Sequence, residues 1–349
     1  MKLSIVVPCY NVASYLERGL TSLTNQTLTD IEIICIDDKS TDNTLEKLKE
    51  IAKCDLRIKV FENGENKGVG YTRNRGIDLA KGEFVGFMDP DDWVDTDFYA
   101  KLIDKAEKTQ TPVVCGEVLE HPFGQKPIKL KRFVKGNYFS FQYHYSAVYH
   151  REFLNYFNIC YPCLCIGEDT VFETMVKIRT PKPILHVRGV AYHYCRRPGS
   201  LGDDRWGKKQ LDDYIVAINR VFDEFNNSDM DFPVQAYVAG ALYYFNYFYE
   251  GVFTKLRGPE LQRQLVEALI KLSKKQRATV LYANDRRLFY ALADENVDEV
   301  LGILKASVWE KREFFVFDRF KFMEIRKNKF RKIIFLFGVP VLRSAIKYE

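Results

Sequence analysis

Between Glu83 and Asp95 the chain reads EFVGFMDPDDWVD. Phe84 to Met88 form a short apolar run with Gly86 inside it, the length of one buried strand. The run delivers Asp89, Asp91 and Asp92 to its carboxyl end, and Trp93 follows as an apolar anchor. In extended backbone successive side chains alternate, so Asp89 and Asp91 are expected to point the same way and to share a divalent cation through oxygen ligands. The Asp-x-Asp pattern alone is weak, because it recurs at Asp95 and Asp97 and again at Asp229 and Asp231. Position distinguishes the first pair: in open α/β sheets, ligands sit beyond the carboxyl ends of the strands.

The sequence before this stretch repeats one pattern. Leu3 to Val7 is an apolar run closed by Pro8, which cannot donate to a central ladder. A helical pattern follows, with Leu16, Leu20 and Leu23 on one face and Ser14 placed to cap it. DIEIICIDD (Asp30 to Asp38) is a second buried strand ending in a carboxylate pair, and the helix after it starts in STDNT. RIKVFEN is a third strand. A glycine-rich turn, Lys67 to Gly70, then opens a helix containing Arg73 that closes at Lys81 and Gly82. Four strands alternating with three helices predict an α/β fold with a doubly wound, mostly parallel, Rossmann-like sheet and right-handed crossovers.

Further along, Phe98 to Ala106 reads as a helix, PVVCGEV as a strand, Asn137 to Tyr161 as a segment rich in Tyr and Phe, and IGEDTVFETMVKI as a helix starting near Glu168 and Asp169. Pro183 to Cys195 reads as a strand and RRPGSLGDDRWG as a polar loop. Beyond Leu211 helical patterns dominate (Tyr214 to Phe225, Pro233 to Tyr249, Glu260 to Lys274, Val297 to Lys305). The expected organisation is a domain over 1–210, a helical region over 211–318 and a basic tail over 319–349. No internal repeat or long low-complexity linker stands out. At 46% hydrophobic and 28% charged residues, the 349-residue chain is globular in character. Eight scattered cysteines and a strand directly after Met1 predict reduced thiols and a cytoplasmic protein. Cys160, Cys163 and Cys165 cluster, but no second pair or His-x-His follows at zinc-site spacing.

VVPCYN, IDDKSTDNT, NKGVGYTRNRGIDLAKGEFVGFMDPDDW, GEDTVF and YHYCRRPGS, in that order, resemble the family-2 glycosyltransferases of the GT-A fold. The likeness covers about the first 200 residues. It implies an inverting enzyme that uses a nucleotide sugar, here a UDP-sugar, and a divalent metal, Mn²⁺ or Mg²⁺. On that resemblance Asp91 is the first metal ligand, Asp89 touches ribose, metal or both, and His193 completes the metal site or is a core histidine. Pro8, Tyr10, Asn11 and Asp38 match the nucleoside pocket, with Asp37 as an alternative to Asp38. Lys67, Gly68 and Arg73 match the segment that closes over the nucleotide. Arg196, Arg197 and Ser200 match the loop that grips pyrophosphate. Asp169 matches the general base, and Glu168 and Trp93 are expected on the acceptor side.

The chemistry of the residues agrees with the resemblance. A diphosphate leaving group needs charge neutralisation, which a cation on carboxylates supplies, and inverting transfer needs a base for the acceptor hydroxyl. GVGYTRNRG lacks the spacing of a dinucleotide fingerprint, which weakens a dehydrogenase. A sugar-nucleotide pyrophosphorylase would carry its glycine-rich loop after the first strand, where this chain has PCYN. A catalytically silent sugar-nucleotide-binding or scaffold protein of the same fold is the competing class. The expected acceptor is a glycan or lipid-linked oligosaccharide.

The tail from Arg319 holds nine Lys or Arg against two acids, net +7 in a chain of net +5, so the preceding 318 residues are net −2. Its longest uncharged apolar run, Ile333 to Leu342, is too short to span a bilayer. A helix through it would set bulky apolar groups beside cations, which predicts peripheral attachment to the anionic inner face of a cytoplasmic membrane. No nucleic-acid partner is expected.

Overall fold

The computed structural model describes residues 1–122, 126–129, 144–180, 184–196, 206–226, 252–253, 255–275, 294–307, 310–316, 320–327, 331–336 and 339–345. The chain divides into two compact units, one of residues 1–204 with 216–229 and one of residues 205–215 with 230–349.

In the first unit, β1 (Leu3–Cys9), β2 (Ile31–Asp37), β3 (Ile58–Glu62) and β4 (Phe84–Phe87) alternate with α1 (Leu16–Thr24), α2 (Thr44–Cys54) and α3 (Val69–Leu79). The four strands pair in parallel in the spatial order β3-β2-β1-β4. This is the expected doubly wound half. β1 and β2 are buried throughout, as mainly apolar strands covered on both faces should be, and the buried Glu32 of β2 accepts from the Ser4 hydroxyl of β1 at 2.6 Å. Leu16, Leu20 and Leu23 of α1 pack with Leu3, Ile5 and Val7 of β1, each such burial contributing roughly 1.5–3 kcal/mol. Ser14 does not cap α1: Tyr15 holds the N-cap position and no side chain bonds there. Pro8 sits in β1 opposite Ile36 of β2, while the register with β4 ends at Val6 and Phe87. Its missing N–H therefore falls beyond the end of the neighbouring strand, where no ladder bond is lost.

Beyond β4 the sheet turns mixed. The chain runs through β5 (Trp93–Val94), α4 (Phe98–Thr109), β6 (Val113–His121), β7 (Ile128–Lys129), β8 (Ala147–His150), α5 (Arg151–Tyr156), α6 (Glu168–Arg179) and β9 (Leu185–Cys195). β8 lies antiparallel between β4 and β6, β6 pairs in parallel with β9, and β5 closes the edge antiparallel to β9. The short antiparallel β8 falls inside the segment that the sequence marked only as aromatic. α7 (Lys208–Asn226) follows.

In the second unit α8 (Pro259–Lys275) and α9 (Val297–Ser307) are joined by an Arg263 to Asp298 ion pair of 2.6 Å. Both helices match the expected pattern, and the expected helix over Pro233 to Tyr249 lies outside the described residues. The tail corrects a prediction. In place of an amphipathic helix, β10 (Glu310–Val316), β11 (Phe320–Lys327), β12 (Arg331–Leu336) and β13 (Val339–Ala345) form a four-stranded antiparallel sheet. The register places Met323 opposite Leu336 and Ile325 opposite Ile334, a period-two alternation that this Ile- and Phe-rich stretch supports as well as a helical one.

Candidate active site

Most of the expected site residues lie on the segments after β1, β2 and β4 and at the start of α6, and bonds from Asp38 and Arg73 tie these segments together. Tyr10 follows β1 with 45% of its surface exposed, an accessible ring of the kind on which a base can stack. Asn11 adopts a left-handed φ of 51° and accepts at Oδ1 from the Thr41 N–H at 2.8 Å, tying the end of β1 to the loop after β2. Asp38 is buried, and its Oδ1 accepts from Asn63 Nδ2 at 2.7 Å and the Lys67 N–H at 3.0 Å. Its Oδ2 accepts from the Gly68 N–H at 2.8 Å. The carboxylate thus fastens the glycine-rich loop at the start of α3. Gly68 has φ 85°, which explains glycine at that N-cap. Asp37 Oδ2 accepts from the Ser40 N–H at 3.0 Å, whereas its Oδ1 is buried with no partner among the described residues.

After β4, Asp89 to Asp92 is a β-turn closed by the Asp92 N–H donating to the Asp89 carbonyl at 3.0 Å, so Asp89 and Asp91 are presented by a turn and not by extended backbone. Asp92 is 1% exposed and accepts from the Tyr192 hydroxyl at 2.6 Å and the Cys195 N–H at 2.7 Å. Burial, together with the charges of Asp89 and Asp91, pushes its carboxyl well above the usual range. Asp92 therefore fixes the turn to β9. The Tyr192 hydroxyl also lies 3.1 Å from the Asp89 nitrogen.

Trp93 packs against its neighbours, and the contacts of His193 are those of the core histidine that was the second of its two expected roles. The rings of Trp93 and His193 stack at 4.9 Å and 9°, and the Arg18 guanidinium lies 4.2 Å from the Trp93 centroid. His193 Nε2 bonds to Asp95 Oδ1 at 3.0 Å and its Nδ1 to His121 Nε2 at 2.9 Å. Both imidazole nitrogens are thereby engaged away from Asp89 and Asp91. Trp93 acts as a bolt between α1 and β9 beneath the turn. Burial lowers the His121 pKa, and neighbouring His193 and Arg18 lower it further.

At the start of α6, Gly167 caps the helix at φ 82°, and Glu168 and Asp169 occupy the first turn, where the helix dipole favours carboxylates. Asp169 Oδ1 accepts from the Thr170 N–H at 2.7 Å, and among the described residues its Oδ2 has no protein donor. Glu168 is buried, and desolvation reinforced by Asp169 pushes its pKa up to about 7 despite the nearby Arg73. Arg73, expected over the nucleotide, is instead buried beneath the site. One terminal nitrogen donates to Asp89 Oδ1 at 2.9 Å and the other to Glu168 Oε1 at 3.0 Å. Burial opposes its charge, and the two carboxylates more than offset that. This bridge brings the turn after β4 and the start of α6 to one place. Arg197 and Ser200 lie outside the described residues, and Arg196 pairs with Glu120.

Sequence reasoning missed Asn63, Asn74, Tyr161 and Tyr192. Asn74 donates from Nδ2 to the Tyr161 carbonyl at 2.8 Å and accepts at Oδ1 from the Tyr161 N–H at 2.8 Å. Its place one residue after Arg73 was the available signal.

The carboxylates fit a hard divalent cation of the kind that keeps water and takes substrate phosphate oxygens, which needs one or two protein carboxylates. Asp89 and Asp91 meet that requirement. No group of three or more His, Cys, Asp or Glu side chains suited to a metal gathers among the described residues, so the protein side of such a site would be this carboxylate pair.

Residues 4–172 match the family model "Glycosyl transferase family 2", and this part of the chain is a family-2 glycosyltransferase domain with the GT-A fold. Over 108 residues the chain is 41% identical to the GalNAc(5)-diNAcBac-PP-undecaprenol beta-1,3-glucosyltransferase of Campylobacter jejuni, covering 31% of this chain and 35% of that one. It is 38% identical over 121 residues to the poly(ribitol-phosphate) beta-glucosyltransferase of Bacillus spizizenii, covering 34% and 19%. The matches therefore span about a third or less of these relatives' length. The crystal structure of S. aureus TarS 1-349 in complex with UDP-GlcNAc shares the fold, with TM-score 0.75 and 21% identity over 91% of this chain and 95% of that one.

Proposed function

We propose that this chain transfers a sugar from a UDP-sugar to a glycan or lipid-linked oligosaccharide, in a metal-dependent reaction that inverts the anomeric carbon. The observation that carries this reading is the Arg73 bridge, which joins the strand-end carboxylate Asp89 to Glu168, the neighbour of Asp169 in the first turn of α6. A diphosphate held at Asp89 and Asp91 and a hydroxyl held at Asp169 would then face one another across a single crevice.

Tyr10 offers its ring to the uracil, and Asp38, with Gly68 and Lys67 attached, shapes the nucleoside crevice. Asp169 takes the acceptor proton at Oδ2 as the acceptor oxygen bonds to the anomeric carbon. The bond from that carbon to the diphosphate oxygen breaks, and UDP leaves with the electron pair. Asp89 and Asp91 would hold Mn²⁺ or Mg²⁺, which when bound would supply charge neutralisation for the diphosphate. The names of the relatives, one acting on an undecaprenol-linked glycan and one on poly(ribitol-phosphate), and the UDP-GlcNAc complex of TarS support the donor and acceptor classes. Incubation of the full chain with a panel of UDP- and GDP-sugars and Mn²⁺, with release of nucleotide measured, tests the reading. Release from at least one UDP-sugar, abolished by chelation, is expected; silence with every donor would refute it.

The same reading includes peripheral attachment to an anionic membrane face through the basic segment 319–349, supported by its net charge. No described helix is long and apolar enough to cross a membrane. Co-sedimentation with anionic but not neutral liposomes is expected, weakened when Arg326, Lys327, Arg331 and Lys332 are replaced by Gln. Equal binding by both proteins would contradict it.

A further inference from the structure

We propose that α3 sets the position of the general base, with Arg73 and Asn74 as positioning residues that act through Glu168 and Tyr161 and touch neither donor nor acceptor. The proposal rests on the reading of Asp169 as that base.

Gly70, Arg73 and Asn74 follow helical spacing on one face of α3, and all three meet the segment that leads into α6. A Cβ on Gly70 would stand 2.5 Å from the Pro162 carbonyl oxygen, so helix and segment are in backbone contact there. Asn74 grips the Tyr161 main chain from both sides at 2.8 Å. The Arg73 guanidinium lies 5.3 Å from the Tyr161 ring, which itself stacks on Phe172 of α6 at 4.0 Å and 1°. The Arg73 side chain is only 5% exposed, and its Nε is buried with no partner among the described residues. A group so enclosed is poorly placed to contact a nucleotide, yet its fork reaches both Asp89 and Glu168.

Guanidinium suits this task because two nitrogens in a rigid plane serve two carboxylates at once, whereas the lysine ammonium is a single point. The N-terminus of the same helix is fastened to Asp38. One rigid element thus spans the nucleoside crevice, the turn carrying Asp89 and the segment carrying Asp169.

The test uses the full chain, the UDP-sugar that gives nucleotide release with Mn²⁺, and UDP as the binding probe. Displacing a catalytic group by about 1 Å costs on the order of a hundredfold, so Arg73→Lys is expected to lower kcat by about that factor. Donor KM and the Kd of UDP should stay within about threefold if Arg73 makes no substrate contact. Glu168→Ala should match Arg73→Lys, and Glu168→Gln, which still accepts from Arg73, should lose less than about tenfold. The Arg73→Lys/Glu168→Ala double variant should be no slower than either single, because the two act as one unit. A Kd for UDP raised tenfold or more with kcat kept would make Arg73 a donor contact and overturn the proposal, as would additive losses in the double variant. Amide exchange over residues 159–167 reads the same contact without turnover. It should quicken in Arg73→Lys and in Asn74→Ala, and unchanged exchange in both would overturn the proposal. Wild-type silence toward every donor would instead sink the functional reading and leave the exchange result to decide the α3 contact.

Discussion

Replacement of Asp38 by Asn probes the anchor of the glycine-rich loop. The carboxylate accepts from Asn63 and Lys67 on one oxygen and from Gly68 on the other, all within 3.0 Å, in a site 3% exposed. An amide of the same shape keeps one oxygen and turns an NH₂ toward the remaining donor. Keeping the two bonds at Oδ1 sets that NH₂ against the Gly68 N–H, now about as close as a hydrogen bond but with no acceptor between them. One charge-assisted bond is lost and a largely buried N–H is orphaned, together about 2–4 kcal/mol. At roughly 2–4 °C per kcal/mol for a unit of this size, the melting temperature should fall by about 4–16 °C. Thermal unfolding followed by near-UV circular dichroism measures the shift. Calorimetric titration with UDP should show weakened binding, since the loop that opens α3 is freed. A melting temperature within about 1 °C of wild type would show that the three bonds contribute nothing net, and the anchoring argument would fail.

Three further outcomes follow from the same contacts. Gly76→Ala would place a Cβ 2.2 Å from Val6 Cγ1 in the buried β1 layer; a loss of about 3 kcal/mol or more is expected in denaturant unfolding, partly restored by Val6→Ala. Glu168 titrates near 7 in the folded chain against an ordinary 4.5, so its contribution to stability is complete below pH 4.5 and is lost as pH rises through about 7. The stability of wild type relative to Glu168→Gln should therefore fall between pH 4.5 and 8, by on the order of 3 kcal/mol, and a difference that does not vary with pH would contradict the burial argument. Trp93→Ala removes the stack with His193 and the Arg18 contact, and should destabilise the first unit by about 3 kcal/mol in the same unfolding assay.

The parallel half of the sheet was legible because β1, β2 and β4 are mainly apolar runs, broken only by Ser4 and Glu32, which bond to one another, and each closed by proline, carboxylates or both. Asp89, Asp91, Glu168 and Asp169 could be placed on strand end and helix start for the same local reasons. What failed was set by partners distant in the chain. Arg73 reads as a helical cation facing the nucleotide until Glu168, 95 residues on, is seen to pair with it. His193 could be read as a ligand or a core histidine, and only its partners Asp95 and His121 separate the two. β8 is four residues in an aromatic stretch, too short for periodicity to distinguish strand from coil. The tail mixes cations and bulky apolar groups in a pattern compatible with either period, and only pairing between strands decides it.

The base is tested most directly by comparing wild type with Asp169→Asn in single-turnover transfer, using the active UDP-sugar, Mn²⁺ and its acceptor, with UDP affinity measured alongside. The amide preserves shape and the Thr170 contact but cannot take the hydroxyl proton. Transfer should fall by about 10²–10⁴-fold, while the Kd for UDP stays within about twofold because Asp169 makes no contact with the leaving nucleotide. Transfer at the wild-type rate in Asp169→Asn would contradict the mechanism.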